Sequence, residues 1–238
     1  MQEQVQYHDL GKRPYQSVWD YQEQLLKENT DIKAAFRKMG DVAADQVPTN
    51  HHLIFVEHPA VYTLGKSGKP EHLLISEQEM KDKGIEYFHI NRGGDITFHG
   101  PEQLVGYPIF DLEKFKPDLG WYLRNLEEVI ILTMADYGLV GERSKGETGV
   151  WMETNNPTKT RKICAMGIKC SRWISMHGFA FNVNTDLNYF NYIIPCGIEN
   201  KQVTSLQKEL GVAVPMEEVK YRVKRHMEKV FNCSLFND

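Results

Sequence analysis

The stretch of sequence that decides the fold is residues 161–198, RKICAMGIKCSRWISMHGFAFNVNTDLNYFNYIIPCGI. In its second half the bulky residues Phe179, Phe181 and Val183 alternate with Gly178, Ala180 and Asn182. Successive side chains of a strand point to opposite faces of a sheet, so this pattern predicts a strand with one packed face and one small face. A small face leaves room for a ligand, although a tightly packed sheet core would produce the same pattern.

The preceding part of the same stretch predicts a second strand with a similar pattern. Ala165 and Gly167 repeat the small positions. Strict alternation puts Lys162 on the opposite face from these two residues, together with Cys164 and Met166. We therefore expect a pair of strands that share a small-residue face, with Lys162 on the other face.

The stretch carries a lysine near its start and a cysteine near its end, with Cys196 held between Pro195 and Gly197. A free thiol has a pKa of about 8.5 and is a poor nucleophile at neutral pH. A nearby ammonium favours the thiolate, and a desolvated lysine can also transfer a proton. Lys162 and Cys196 are thus a candidate catalytic pair if the fold brings them together, whereas a cysteine in such a turn is often only structural.

A second informative stretch is RGGDITFHGPEQLVGYP, residues 92–108. Gly93 and Gly94 permit backbone conformations and close approaches that side chains would block. Arg92 and His99 add polar groups to the same turn and strand. The alternative interpretation of these residues is a glycine-rich hairpin with a surface histidine.

Composition limits the classes of protein to consider. The chain has 238 residues, of which 41% are hydrophobic, so it can bury a full core, and we expect one domain over residues 1–238. A net charge of −4 argues against a general nucleic-acid binder. The four cysteines form no CxxC pair, so no metal site is expected.

The polar N-terminus and the lack of a long apolar run predict neither a signal peptide nor a membrane span, and we expect a cytoplasmic protein.

The remaining sequence predicts alternating helices and strands. Helices are expected from Pro14 to about residue 36, from about residue 117 to Gly138, and from Pro215 onward. Strands are expected over residues 53–56, 85–90, 104–112 and 146–152, with a short edge strand near residues 5–9. The predicted fold class is α+β, a mixed β-sheet flanked by helices.

Four blocks, HGPEQLVGYP, RKICAMGIK, MHGFAFNVN and IIPCGI, closely resemble in order and spacing the lipoyl(octanoyl) transferase family. The resemblance covers roughly residues 57–206. It implies the fold of the lipoate and biotin protein ligase catalytic domain. It also implies an acyltransferase that moves an octanoyl group from octanoyl-acyl carrier protein to the ε-amine of a lipoyl-domain lysine, without a cofactor.

The resemblance also implies site residues. The acyl-accepting thiol of the family matches Cys196, and the lysine that lowers its pKa matches Lys162. The substrate-binding segments match Arg92, Gly93, Gly94, Asp95, Ile96, Thr97, Phe98 and His99, then Ala165, Met166 and Gly167, then Gly178, Phe179 and Ala180. The implied acceptor partners are lipoyl domains of 2-oxoacid dehydrogenases and the glycine-cleavage H protein, with no nucleic acid or membrane partner, and a monomer is expected.

The chain departs from the family pattern at Glu102, because the family usually reads HGPGQ where this chain reads HGPEQ. If that position needs a positive φ, glutamate strains the turn by about 1 kcal/mol. Two alternatives to the transferase remain open. One is an ATP-dependent lipoate or biotin type of protein ligase, and the other is a non-catalytic module that binds acyl carrier protein or lipoyl domains.

A basic cluster near the site predicts a docking surface for acidic acyl carrier protein. It comprises Lys159, Arg161, Lys162, Lys169 and Arg172. An ordinary solvated face is the alternative.

Overall fold

A mixed eight-stranded sheet forms the centre of the computed structural model, which describes residues 2–38, 40, 43–194 and 202–237. The strands are β1 (Glu3–Lys12), β2 (His51–Glu57), β3 (Val61–Leu64), β4 (Glu86–His89), β5 (Ile96–His99), β6 (Gln103–Ile109), β7 (Val150–Met152), β8 (Arg161–Ser171), β9 (Ile174–Asn182), β10 (Gln202–Val203) and β11 (Cys233–Phe236). The large sheet has the order β10-β8-β9-β6-β2-β1-β11, with β7 also paired to β8, and β4-β3-β5 form a small second sheet. Both parallel and antiparallel pairs occur in each sheet.

Helices cover both faces of the large sheet. The helices are α1 (Tyr15–Arg37), α2 (Glu77–Asp82), α3 (Leu119–Ala135), α4 (Leu206–Leu210) and α5 (Met216–Phe231). Phe55, Phe179 and Phe181 pack on one face in the core that includes residues of α3 and α5. Ile54 and Ala180, which alternate with them, pack on the other face with residues of α1. The predicted mixed sheet flanked by helices is therefore confirmed.

The three long helices lie where the sequence predicts them. The pattern expected from Pro14 forms α1, and Pro14 is its N-cap. Asp118 caps α3 by accepting a hydrogen bond from the backbone N–H of Trp121 at 2.9 Å. Pro215 is the N-cap of α5, as expected for a residue that cannot donate a backbone hydrogen bond.

The prediction of a short edge strand near residues 5–9 is wrong. β1 has ten residues and lies between β2 and β11, and it pairs in parallel with both. The partner β11 is a four-residue strand that follows α5 and that carries no clear alternation signal of its own. The pairing is therefore a tertiary contact that local pattern does not reveal.

Candidate functional site

A cavity of about 80 Å³ opens on the face of β8 and β9 that α1 covers. From the segment 92–99, every predicted residue lines it except Gly93 and Phe98. Ala165, Met166 and Gly167 of β8 line it, as do Gly178, Phe179 and Ala180 of β9. Lys162 also lines it, so the fold brings most of the predicted residues together at one place.

Close packing of backbone against backbone explains why the two strands carry glycine at the cavity. A Cβ atom on Gly167 would lie 2.6 Å from the Gly93 carbonyl oxygen, and one on Gly178 would lie 2.2 Å from the Gly106 carbonyl oxygen. The backbone N–H of Gly93 donates to the carbonyl of Ile168 at 2.9 Å. The loop that begins at Arg92 is therefore attached to β8, and side chains larger than hydrogen would separate them.

Lys162 lies on the cavity side of β8, where strict alternation does not place it. The pairing between β7 and β8 shifts register: Val150 faces Cys164, whereas Trp151 faces Lys162. One extra residue, Ile163, therefore forms a β-bulge and is buried in the core on the α3 and α5 side. The sequence expectation for Lys162 is wrong because a bulge reverses the alternation. The Lys162 ammonium lies 4.3 Å from the centre of the Trp151 ring.

Arg92 is a buried cation at the cavity wall, with only 7% of its surface exposed. One guanidinium nitrogen donates to the carbonyl oxygen of Thr63 at 2.7 Å and to Thr63 Oγ1 at 2.9 Å. The other donates to the Gly93 carbonyl at 3.0 Å. Arg92 thereby joins the loop at 92–95 to β3, and it places a positive charge near the cavity.

A chain of buried hydrogen bonds leads from Arg92 toward β10. Thr63 Oγ1 lies 3.3 Å from His99 Nε2, and His99 Nδ1 lies 3.1 Å from Gln103 Oε1. Gln103 Nε2 donates to Asn182 Oδ1 at 2.9 Å, and Asn182 Nδ2 donates to the Thr204 carbonyl at 2.9 Å. All these bonds can be made at once if His99 is neutral with its proton on Nδ1. Burial, with a smaller effect of His58 and Arg92, lowers the pKa of His99 well below its ordinary value.

The same series of hydrogen bonds reaches the backbone of Lys162. The Thr204 N–H donates to the Lys162 carbonyl at 2.9 Å, beside the parallel pair formed by Val203 and Lys162. Gln103, Asn182 and Val203 also line the cavity. The residue-by-residue resemblance did not include Gln103 or Asn182, although the alternation in residues 178–183 placed Asn182 on the small face and Gln103 lies two positions after Pro101.

His177 is a further cavity residue that the predicted site left out. It is 2% exposed and has a φ of 61°, which is strained for a residue other than glycine. Neither of its ring nitrogens has a hydrogen-bond partner among the described residues. Burial, together with Arg92 and Lys169, lowers the pKa of His177 to about 3, so the ring is neutral.

The predicted nucleophile, Cys196, lies outside the described residues. Phe190 and Val203, which lie on either side of it in the chain, both line the cavity. Burial raises the pKa of the Cys164 and Cys170 thiols and raises that of Cys233 to about 12. Each of these three described cysteines is therefore held as a neutral thiol, which is a weak nucleophile.

Glu102, the departure from the family pattern, has a φ of 61°. Its backbone N–H donates to a Glu57 carboxylate oxygen at 2.8 Å, and its own carboxylate accepts from Asn184 Nδ2 at 2.9 Å. Its carbonyl accepts from the Asn184 N–H and the Thr185 hydroxyl, both at 3.0 Å. The strain expected at this position is thus present, and four hydrogen bonds hold the residue in place.

Ion pairs neutralise much of the predicted basic cluster. Arg161 pairs with Glu209 and Glu153, at 2.6 Å and 2.7 Å. Lys169 pairs with Glu23 of α1 at 2.7 Å. The docking surface stays a prediction, with less net positive charge than the sequence suggests.

The chain belongs to the family of the lipoyl protein ligase A/B catalytic domain, whose model matches residues 14–228. The membership expected from the four sequence blocks is therefore confirmed. No helix among the described residues is long and apolar enough to cross a membrane.

Relatives within that family are similar over nearly the whole chain. The chain is 54% identical over 233 residues to a protein of Cytophaga hutchinsonii named Octanoyltransferase, covering 98% of this chain and 95% of that protein. It is 53% identical over 236 residues to an Octanoyltransferase of Christiangramia forsetii, covering 99% of each chain. A bipartite lipoate protein ligase of Thermoplasma acidophilum shares the fold, with a TM-score of 0.68, 17% identity, and coverage of 100% of this chain and 87% of that one.

Proposed function

We propose that the protein transfers an octanoyl group from octanoyl-acyl carrier protein to a lipoyl-domain lysine through a thioester on Cys196. The octanoyl transfer agrees with the name of relatives that are 53% and 54% identical along nearly the whole chain. The carrier-protein donor and the cysteine intermediate are the additional parts of the proposal. The observation that carries them is the position of Lys162. It lies in a cavity that is also lined by Phe190 and Val203, the residues on either side of Cys196 in the chain.

The proposed chemistry takes place in two steps. The Cys196 thiolate attacks the octanoyl carbonyl, the new thioester bond forms, the bond to the carrier sulfur breaks, and the carrier thiol leaves with a proton from the Lys162 ammonium. The ε-amine of the lipoyl-domain lysine then attacks this thioester, an amide bond forms, its proton passes to the neutral Lys162, and Cys196 is released as the thiolate. Thioester exchange is nearly isoergic and amide formation from a thioester is downhill, so the reaction needs positioning and a nucleophile but no ATP.

Two roles follow for Lys162 in this scheme. Its ammonium favours the thiolate of Cys196 in the first step. Having given a proton to the carrier thiol, Lys162 is neutral in the second step and accepts a proton from the attacking amine, which must lose one to form the amide. Gly94, Ala165, Gly167, Gly178 and Ala180 form walls of the acyl pocket beside the Arg92 guanidinium. The apolar and backbone character of these walls suits a hydrocarbon chain.

The proposed partners follow from the same reaction. The donor is octanoyl-acyl carrier protein, and the acceptors are lipoyl domains of 2-oxoacid dehydrogenases and the glycine-cleavage H protein. We also propose that the protein acts as a cytoplasmic monomer. Charge reversal at Lys159 and Lys169 tests the docking surface, since an unchanged second-order transfer rate at low salt would refute it.

Intact-mass measurement tests the proposed intermediate. Mixing the protein with octanoyl-acyl carrier protein alone should add one octanoyl group to the wild type and none to Cys196→Ser. The control is Cys170→Ser, which should still form the adduct because the Cys170 thiol has a raised pKa. A wild-type protein that acquires no adduct but still transfers octanoyl to the lipoyl domain would refute the thioester.

A ligase mechanism and a binding module give different results in the same assay. If transfer to the apo lipoyl domain requires ATP and free octanoate, the protein is a ligase. If neither substrate pair gives an octanoylated lipoyl domain but the protein binds acyl carrier protein or the lipoyl domain, it is a binding module. We expect transfer from the carrier protein in the absence of ATP.

A further inference from the structure

The acyl pocket has two chemically different ends. Pairing places Gly167 of β8 opposite Gly178 of β9, and Ile168 opposite His177. Lys162 and Asn182 lie toward the other end of these strands, where Asn182 bonds to Thr204 and Thr204 bonds to Lys162. Asn182 follows His177 by five positions in β9, which is roughly 16 Å at the usual rise of an extended strand. His177 is therefore far from the reacting groups.

An octanoyl chain that is attached near Lys162 reaches this far end. Seven C–C bonds of about 1.5 Å give an extended chain of roughly 9 Å between its first and last carbons. The remaining length of roughly 7 Å is comparable with an extended lysine side chain, so it is filled if the thioester lies beside the Lys162 ammonium. The terminal methyl group of the chain therefore approaches His177 and Gly178.

At that end, His177, which lines the cavity, and Gln22, which contacts the His177 backbone, carry polar atoms without partners. Among the described residues, Nδ1 and Nε2 of His177 and Nε2 of Gln22 have no hydrogen-bond partner, and both side chains are at least 98% buried. Gln22 belongs to α1, and its Oε1 accepts from the His177 N–H at 3.1 Å. A neutral imidazole has one donor and one acceptor, so together with the amide it makes a small polar site.

We propose that His177 and Gln22 determine the length of the acyl chain by holding a water molecule at the end of the pocket far from Lys162. This inference rests on the proposed acyl transfer. A buried water with two to four polar partners is a common way to satisfy such groups. An octanoyl chain stops short of the water, whereas a longer chain must displace it and leave the polar atoms against hydrocarbon, which is costly.

The backbone of His177 supports a role beyond packing. A φ of 61° within a strand is unfavourable for histidine, and the backbone N–H of His177 itself donates to Gln22 Oε1. This conformation keeps the imidazole at the cavity while Gly178 packs against Gly106. Histidine is held here at the expense of backbone strain, where glycine would adopt the same φ without it.

The test compares acyl lengths in the adduct assay. We would mix wild type, His177→Gly and Gln22→Met with octanoyl-, decanoyl- and dodecanoyl-acyl carrier protein and measure the rate of adduct formation. His177→Gly opens the end and removes the polar site, so the rate for decanoyl relative to octanoyl should rise about tenfold, as burial of two more methylene groups predicts. Gln22→Met keeps the volume but removes the amide, and should shift the ratio in the same direction by a smaller factor.

A matched control separates this effect from relief of backbone strain. Asn232 has a φ of 49° at the end of α5, away from the cavity, so Asn232→Gly should leave the chain-length ratio unchanged. An unchanged ratio in both His177→Gly and Gln22→Met would overturn the inference while leaving acyl transfer intact. A wild type that forms no adduct with any of the three carriers would instead refute the proposed function, and this inference with it.

Discussion

At the scale of single residues, the position of Lys162 decides what chemistry the cavity can perform. A β-bulge at Ile163 turns the ammonium toward the small-residue face of β8. That face carries neither an acidic side chain nor a second lysine on β8 between Lys162 and Gly167. The lysine is thus the local source of positive charge on this strand segment.

Substitution of Lys162 should separate its two proposed roles. Lys162→Met removes both, and formation of the Cys196 adduct should fall at least 100-fold, the lower range for loss of a proton-transferring group. Lys162→Arg keeps the charge but cannot act as a base, because arginine does not lose its proton. It should form the adduct within roughly tenfold of wild type and transfer octanoyl to the lipoyl domain roughly 100-fold more slowly. Single-turnover kinetics of the two steps measures this, and equal loss of both steps in Lys162→Arg would contradict it.

Glu102 gives a second prediction at the residue scale. Glu102→Ala removes the carboxylate that accepts from Asn184 but keeps the positive φ, so stability should fall by about 1 kcal/mol. Glu102→Gly loses the same bond but relieves strain of about 1 kcal/mol, so its stability should remain near that of the wild type. Urea unfolding of the three proteins measures the difference. Equal destabilisation by alanine and glycine would show that the backbone conformation is not strained.

At the scale of elements, the hydrogen-bond chain from Arg92 to Thr204 joins the small sheet to the large one. His99 belongs to β5, Gln103 to β6 and Asn182 to β9. The last bond holds the residue that follows β10, and β10 lies beside Lys162. The chain therefore links the position of β10, the strand that follows the predicted nucleophile, to residues of the acyl pocket.

Substitution of one residue in this series of hydrogen bonds should destabilise β10 more than the other strands. Asn182→Leu leaves the Thr204 carbonyl without its partner and removes one of the two bonds that Gln103 Nε2 donates, the other being to the Phe98 carbonyl at 3.1 Å, and should destabilise the protein by roughly 2–3 kcal/mol. Hydrogen exchange at the Thr204 amide should accelerate more than exchange in β6. The control is Thr133→Val, which breaks a buried bond within α3 and should not affect Thr204 selectively. A uniform acceleration in Asn182→Leu would argue against a local role.

Local periodicity was sufficient for part of the fold and of the site. It predicted α1, α3 and α5 and the two faces of β9, because a helix stripe or a strand alternation lies within one segment. It did not predict the face of β8 on which Lys162 lies, the pairing of β1 with β11, or the strained backbone of His177. Each of those features depends on another element. The bulge beside Lys162 depends on the pairing of β7 with β8, and the inner position of β1 depends on its pairing with β11. The backbone N–H of His177 is bonded to Gln22 of α1.

At the scale of the whole molecule, buried neutral histidines couple the fold to pH. Burial lowers the pKa of His51 to about 3 and that of His58 to about 4. Burial also lowers the pKa of His99 and that of His177. These four residues lie around β2, β5, β6 and β9, so acid affects the centre of the sheet and the acyl pocket together.

Acid should therefore unfold the protein over a narrow range of pH. Above pH 6.5 all four histidines are neutral in both states, and their stabilising contribution is fully present. Below pH 6.5 the unfolded chain binds protons that the folded protein does not, so each histidine lowers the free energy of unfolding by about 1.4 kcal/mol per pH unit until its folded pKa is reached. Four together remove roughly 5 kcal/mol per unit, which exhausts an ordinary stability of about 5–15 kcal/mol between pH 6 and pH 4. Circular dichroism against pH measures the transition, and His58→Gln should make it less steep by one proton. Histidine resonances of the folded protein that titrate near pH 6.5 at all four positions would contradict this expectation.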